Sequence, residues 1–178
     1  MSTHRTLSWA IPGTAEEILQ RCADPDVARR RAECDSTLQA GVTHLSTQTR
    51  DGATLDFEVA GHIPDSWIPS VVTAKLAKHS GGSGRPGITR RETWYLQDDG
   101  GAHATVTIDL TGIPATRVGA AARLTPDGTN GPDACTLTYD LELDIALPLL
   151  GSTIERAVLH QIAGALDKEA VVIQSCGV

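Results

Sequence analysis

The chain has 178 residues, 40% apolar and 21% charged, which fits one globular domain spanning residues 1–178. A net charge of −7 and a pI near 5.2 speak against nucleic-acid partners and against docking on anionic membranes, since both rely on a basic face. No run approaches the roughly 18 apolar residues of a membrane span, so stable insertion is not expected.

"HRTLSWAI" alternates, with Leu7, Trp9 and Ile11 on one side, and reads as a first strand. "PGTAEEILQRCA" carries Thr14 with Glu17 three residues on, a capping box that opens a short helix. "DPDVARRRAEC" predicts a second short helix, with Asp24 as N-cap and Pro25 at its first position. Strands follow in series. "STLQAGVTHLSTQTR" is joined through the hairpin signal Asp51-Gly52 to "ATLDFEVAGHI", with Leu55, Phe57 and Val59 on one face. "PDSWIPSVVTAKLAKH" reads as a short helical crossing and "SGGSGRPG" as a flexible loop. "ITRRETWYLQ" and "AHATVTIDLTG" pair around "DDGG", "PATRVGAAARLTPDG" is a further strand, and "NGPD" turns into "ACTLTYDLELDIAL".

The end of the chain sets the architecture. Cys135, Leu137, Tyr139, Leu141, Leu143 and Ile145 share one face of the last strand, and Thr136, Thr138, Asp140, Glu142 and Asp144 the other. Such alternation means one buried face and one wet one. Ile154, Val158, Ile162, Leu166 and Ile173 recur at helical spacing, with Arg156, His160, Asp167 and Lys168 off the stripe. Pro148 ends the strand, Gly151 allows a tight turn, and Ser152 with Glu155 offers a second capping box for a helix of about Ser152 to Gln174. An apolar sheet face and an apolar helix stripe must cover each other. The expected fold is α+β: a curved antiparallel sheet of about six or seven strands wrapped around a long C-terminal helix, with two short helices after the first strand.

That order resembles the START-like, or SRPBCC, helix-grip superfamily, which includes Bet v 1-like proteins and polyketide cyclases. "RRETWYL" and "LPLLGSTIERAV" look most like an actinobacterial branch known only as a domain of unknown function. The resemblance covers nearly the whole chain. It implies a hydrophobic cavity between sheet and helix that takes a lipid-like or polycyclic small molecule. It implies no cofactor, and it brings no catalytic residues to carry over.

On this reading the pocket is lined by Phe57, Trp67, Trp94, Tyr139, Leu141, Leu143, Val158 and Ile162. With only six aromatic residues in the chain, small aliphatic side chains fill the interior, and any space they leave is a cavity. An enzyme of cyclase, dehydratase or hydrolase type is the first alternative, with Glu92, His44 or Tyr139 moving protons in the same cavity. Glu92 shares a face with Trp94 and Leu96, where apolar surroundings would raise its pKa, unless it pairs with an arginine. His44 shares parity with Leu38, Ala40 and Val42, unless Gly41 marks a bulge that reverses the register. Such an enzyme needs at least two of these groups within hydrogen-bond reach. The second alternative is an interaction module whose core is filled by its own side chains.

His62, His79, His103 and His160 fall in turns or on polar faces. Asp140, Glu142 and Asp144 stand about 6–7 Å apart along a strand, too far to share one ion, so no metal site is expected. Cys22, Cys34, Cys135 and Cys176 form no C-x-x-C pair and read as reduced thiols. The N-terminal segment has no signal-peptide core, and a cytoplasmic location is expected. The sequence leaves the oligomeric state open.

Overall fold

The computed structural model describes residues 2–34, 42–50, 54–62, 87–111, 116–129, 133–145 and 151–176. Strand β1 (Thr3–Pro12) leads into helices α1 (Ala15–Ala23) and α2 (Pro25–Cys34). Six strands follow: β2 (Val42–Arg50), β3 (Thr54–His62), β4 (Gly87–Leu96), β5 (Ala102–Thr111), β6 (Thr116–Pro126) and β7 (Ala134–Ile145). Helix α3 (Gly151–Ser175) comes last. The seven strands form one antiparallel sheet in the order β1-β7-β6-β5-β4-β3-β2, so the first and last strands are neighbours. This is the expected helix-grip arrangement.

Local sequence fixes the two short helices. The Thr14 hydroxyl accepts from the Glu17 N–H at 3.3 Å, and the Glu17 carboxylate accepts from the Thr14 N–H at 2.9 Å. This reciprocal bonding satisfies two donors that the first helical turn leaves free. Gly13, at φ +108°, makes the turn from β1 into α1, a conformation L side chains rarely adopt. Asp24 Oδ1 caps α2 by accepting from the N–H groups of Asp26 and Val27 at 2.7 and 3.3 Å.

The sheet buries its concave face. Leu55, Phe57 and Val59 of β3, Ala102, Ala104, Val106 and Ile108 of β5, and the odd-numbered residues Cys135 to Ile145 of β7 all lie inside. Val158, Ile162, Leu166 and Ile173 of α3 face them as expected, while the Ile154 side chain lies outside the described residues. The backbone of α3 runs close along β1, β7 and α2 and makes no comparable approach to β4, β5 or β6. Side chains alone bridge that gap.

The start of α3 differs from expectation. The helix begins at Gly151, so Ser152 lies inside it and is not the cap. Glu155 reaches back out of the helix. Its carboxylate accepts from the Ile145 N–H at 2.9 Å and from the Thr3 hydroxyl at 2.7 Å, tying α3 to the end of β7 and the start of β1. The Asp51-Gly52 turn, the "SWIPSVVTAKL" crossing with Trp67, the "SGGSGRPG" loop up to Pro86, His79 and Pro148 lie outside the described residues.

Candidate functional site

Strand pairing sets out the concave face in rows. One row runs Leu7, Tyr139, Ala122, Ala104, Trp94, Leu55 from β1 to β3. The next runs Leu141, Ala120, Val106, Glu92, Phe57 from β7 to β3. Alanines in the central strands leave depth in the middle of the sheet. Tyr139 and Trp94 lean into it from opposite sides and meet edge to face, ring centroids 6.4 Å apart. Trp9 packs on the other side of Tyr139 at 6.3 Å.

At one end of this layer sits a buried ionic cluster drawn from three elements. Glu92 and Arg90 come from β4, Arg31 from α2 and Glu169 from α3. All four are buried, none more than 8% exposed. Arg31 donates through Nη2 to Glu92 Oε2 at 3.2 Å and through Nε to Glu169 Oε2 at 3.3 Å. Arg90 Nη2 lies 2.8 Å from both oxygens of Glu169, and its Nε lies 3.3 Å from Glu92 Oε1. Trp94 Nε1 donates to Glu92 Oε2 at 3.0 Å, and the Tyr139 hydroxyl donates to Glu92 Oε1 at 2.9 Å. Both guanidinium groups lie against the ring of Phe57, 4.3 Å away for Arg31 and 5.3 Å for Arg90.

The charges set the protonation states. Burial would push the Glu92 carboxyl up, but Arg90 and Arg31, helped by the Trp94 and Tyr139 donors, hold it down at about 2. Burial, then the Glu92 charge, push the Tyr139 phenol well above its ordinary value. Burial also raises Glu169, and the two guanidiniums only partly offset this. Glu155 behaves oppositely: burial works against ionisation, and the Ile145 N–H and Thr3 hydroxyl outweigh it.

These facts decide several expectations. Trp94, Tyr139, Leu141, Leu143, Val158 and Ile162 belong to one buried cluster, whereas Phe57 lies in a second one with Val59 and with Ala28 and Ala32 of α2. None is more than 6% exposed, so the layer is closed at these positions. Glu92 faces inward, and of its two readings the structure takes the arginine pairing and overturns the raised pKa. It is a carboxylate paired with two arginines, and both its oxygens are already accepting. Tyr139 lies within hydrogen-bond reach of Glu92, yet a phenol raised in pKa and a carboxyl lowered in pKa have no proton to exchange near neutral pH. His44 is exposed: the β2–β3 register shifts between Val42 and His44, and the bulge turns Leu45 and Thr47 inward instead. His62, His103 and His160 are exposed. Asp140 accepts from Thr6 and Arg123 on the outer face, and Glu142 lies 3.3 Å from His4. No group of three or more possible metal ligands occurs among the described residues. Cys22 and Cys135 are buried, and Cys34 and Cys176 are half-buried.

Arg31, Arg90 and Glu169 were not anticipated, although each carries a signal. Arg90 has the parity of Glu92 and Trp94. Arg31 lies in the stripe Val27, Ala28, Arg31, Ala32. Glu169 fills the gap that the apolar stripe leaves between Leu166 and Ile173. Open depressions lie elsewhere. A shallow pocket of about 130 Å³ separates α1 from the ends of β2, β3 and β4, and a polar surface groove of about 600 Å³ lies beside Arg21 and Cys176. Neither of these is lined by the residues expected to hold a ligand, whereas a third, of about 400 Å³ over β1, β6 and β7, includes Leu141.

The model of the family described as "Protein of unknown function (DUF2505)" matches residues 6–175. No curated protein matches the chain. Among solved structures, the chain is similar to TTHA0849 from Thermus thermophilus, at 10% identity over 99% of this chain and 100% of that one, with a TM-score of 0.52. A norcoclaurine synthase point mutant from Thalictrum flavum, in complex with a transition-state analogue, aligns at 11% identity over 98% and 96% of the two chains, TM-score 0.49. The Zhui aromatase/cyclase from a Streptomyces species aligns at 7% identity over 98% and 93%, TM-score 0.48. At these identities the end-to-end likeness to the Thermus protein shows the shared fold and nothing finer.

Proposed function

The chain belongs to that family of unknown function, and on this premise we propose that it binds a hydrophobic small molecule, lipid-like or polycyclic, between the concave sheet and α3. One observation carries the reading. The centre of the sheet presents Ala104, Ala120, Ala122 and Val106 beneath a helix whose backbone stays close to β1 and β7 instead. The α3 side of the central strands is therefore filled by side chains, chiefly Tyr139 and Trp94. Rotation of those two rings would expose the alanine floor to a flat apolar ligand. Phe57, Leu141, Leu143, Val158 and Ile162 would form the walls. Affinity would come from burying apolar ligand surface, about 25 cal/mol per Å² before the costs of binding. Trp67 is proposed as a further contact on the sequence alone.

Native mass spectrometry of the purified chain, followed by denaturation and analysis of any released small molecule, tests this. A discrete excess mass that disappears on unfolding is the expected result. A clean apo mass that persists after incubation with a panel of fatty acids and polycyclic aromatics would reject it. That outcome would favour the second reading, an interaction module with a self-filled core, which the near-zero exposure of Leu143 and Phe57 already suits.

A further inference from the structure

The ionic cluster is unevenly matched in hydrogen bonds. Two arginines bring ten N–H donors, and Trp94 and Tyr139 bring one each. Against them stand four carboxylate oxygens, and every one already accepts. Glu92 Oε1 takes Tyr139, Glu92 Oε2 takes Arg31 and Trp94, Glu169 Oε1 takes Arg90, and Glu169 Oε2 takes both arginines. Two buried nitrogens are left without an acceptor, Arg31 Nη1 and Arg90 Nε. For Arg90 the shortfall is one of direction, because Nε lies 3.3 Å from Glu92 Oε1 without pointing along the bond. Arg31 Nη1 has no hydrogen-bond partner among the described residues, on a residue 98% buried whose guanidinium rests on the Phe57 ring. A buried donor left unpaired destabilises the fold, more so on a charged group.

The cluster therefore lacks an acceptor, and its charge says which kind. Two guanidiniums and two carboxylates balance. A ligand carboxylate or phosphate would add an uncompensated buried charge, at a cost of several kcal/mol. An uncharged oxygen adds the missing acceptor and no charge. Position fits as well: Arg31 is joined through Glu92 to both Trp94 and Tyr139, the two rings proposed to move.

We propose that Arg31 Nη1 is the polar anchor of the ligand layer and binds an uncharged acceptor oxygen, such as a ketone, aldehyde or ester carbonyl on an apolar body. This rests on the ligand-binding reading above and narrows it from any hydrophobic molecule to a carbonyl-bearing one. Arg31 orients the ligand through a hydrogen bond, and no covalent step is involved.

The test titrates the full chain with three probes of one shape, using ligand-observed NMR. Ethylnaphthalene is the hydrocarbon, acetylnaphthalene the ketone and naphthoate the anion. Acetylnaphthalene is expected to bind about tenfold or more tighter than ethylnaphthalene, as one hydrogen bond from a charged donor implies. Naphthoate is expected to bind more weakly than the ketone. In Arg31→Lys, which keeps the charge and removes the guanidinium fork, the advantage of the ketone over the hydrocarbon should disappear. Equal binding of ketone and hydrocarbon to the wild-type chain would overturn the anchor and leave the apolar pocket standing. Naphthoate as the tightest binder would overturn it too. Failure of all three probes would reject the pocket and the anchor together. Should Arg31→Lys fail to fold, the wild-type ratio alone decides.

Discussion

The Tyr139 hydroxyl on β7 donates to the Glu92 carboxylate on β4 at 2.9 Å, across the two strands that separate them. Neighbouring strands stand about 4.8 Å apart, so three steps along a flat sheet span about 14 Å. Curvature toward the concave side and the alanines of β5 and β6 let the two side chains meet. The bond thus links distant strands of the sheet through its interior. Tyr139→Phe keeps the ring and removes only the donor. It should lower stability by about 1.5–3 kcal/mol, the range for a hydrogen bond to a charged partner. Urea denaturation measures this, and a midpoint equal to the wild type's would show that the bond contributes nothing.

Val158 is 3% exposed on the face of α3 that meets the sheet, whereas His160 is exposed two residues away. Val158→Asp buries a charge with no partner and should cost more than about 3 kcal/mol. His160→Asp should stay within about 0.5 kcal/mol of the wild type. Thermal melts of both variants check the pair, and equal midpoints would remove the basis for placing α3 over the sheet.

Arg90 and Glu169 are both buried, and Arg90 Nη2 lies 2.8 Å from the carboxylate. Arg90→Met leaves excess negative charge in the interior and should cost about 3–5 kcal/mol. Adding Glu169→Leu removes that excess and leaves Arg31 paired with Glu92. The double variant should regain at least half of the loss. A double variant no more stable than Arg90→Met would mean that packing, not charge balance, sets the cost.

Glu92 also makes stability depend on pH. Its folded-state pKa is depressed from 4.5 to about 2, so its contribution is fully present above the unfolded value and is lost as pH falls through the folded one. The effect is on the order of 3 kcal/mol, since each unit is about 1.4 kcal/mol. Glu155 is lowered and acts in the same direction. Glu169 is raised and acts in the opposite one, favouring the folded state at low pH and losing that contribution as pH rises through its folded value. The expected net result is a fall in urea-derived stability between pH 5 and about 2, with a shallower fall in Glu92→Gln. A flat profile in the wild type over that range would contradict the arginine pairing.

Much of this fold is legible in the sequence because its determinants are local. Thr14 with Glu17, Asp24 before Pro25, and the alternation from Cys135 to Ile145 each specify structure within a few residues, and the structure follows them. The ionic cluster is different. Arg31, Glu92 and Glu169 meet only after the sheet curls and both helices dock, so no window of sequence holds the interaction. What is visible locally is three charged residues on otherwise apolar stripes, and their partners emerge only in three dimensions. His44 shows the same limit on a smaller scale: parity gives its face until one bulge reverses it. Glu155 has the spacing of a capping residue, yet a backbone N–H freed by the end of β7 competes for it and wins.

The pairing of β1 with β7 has a consequence for how the molecule is made. Among the described residues, β1 lies at the sheet edge, and its only ladder partner is a strand that begins at Ala134. During synthesis at about 5–20 residues per second, that partner appears on the order of ten seconds after β1 leaves the ribosome. Until then β1 carries Leu7, Trp9 and Ile11 with no strand to join. The β2–β6 hairpins can assemble meanwhile from near neighbours, while closure of β1 waits on the longest loop in the topology. A strand made well before its partner is among the last to be sealed.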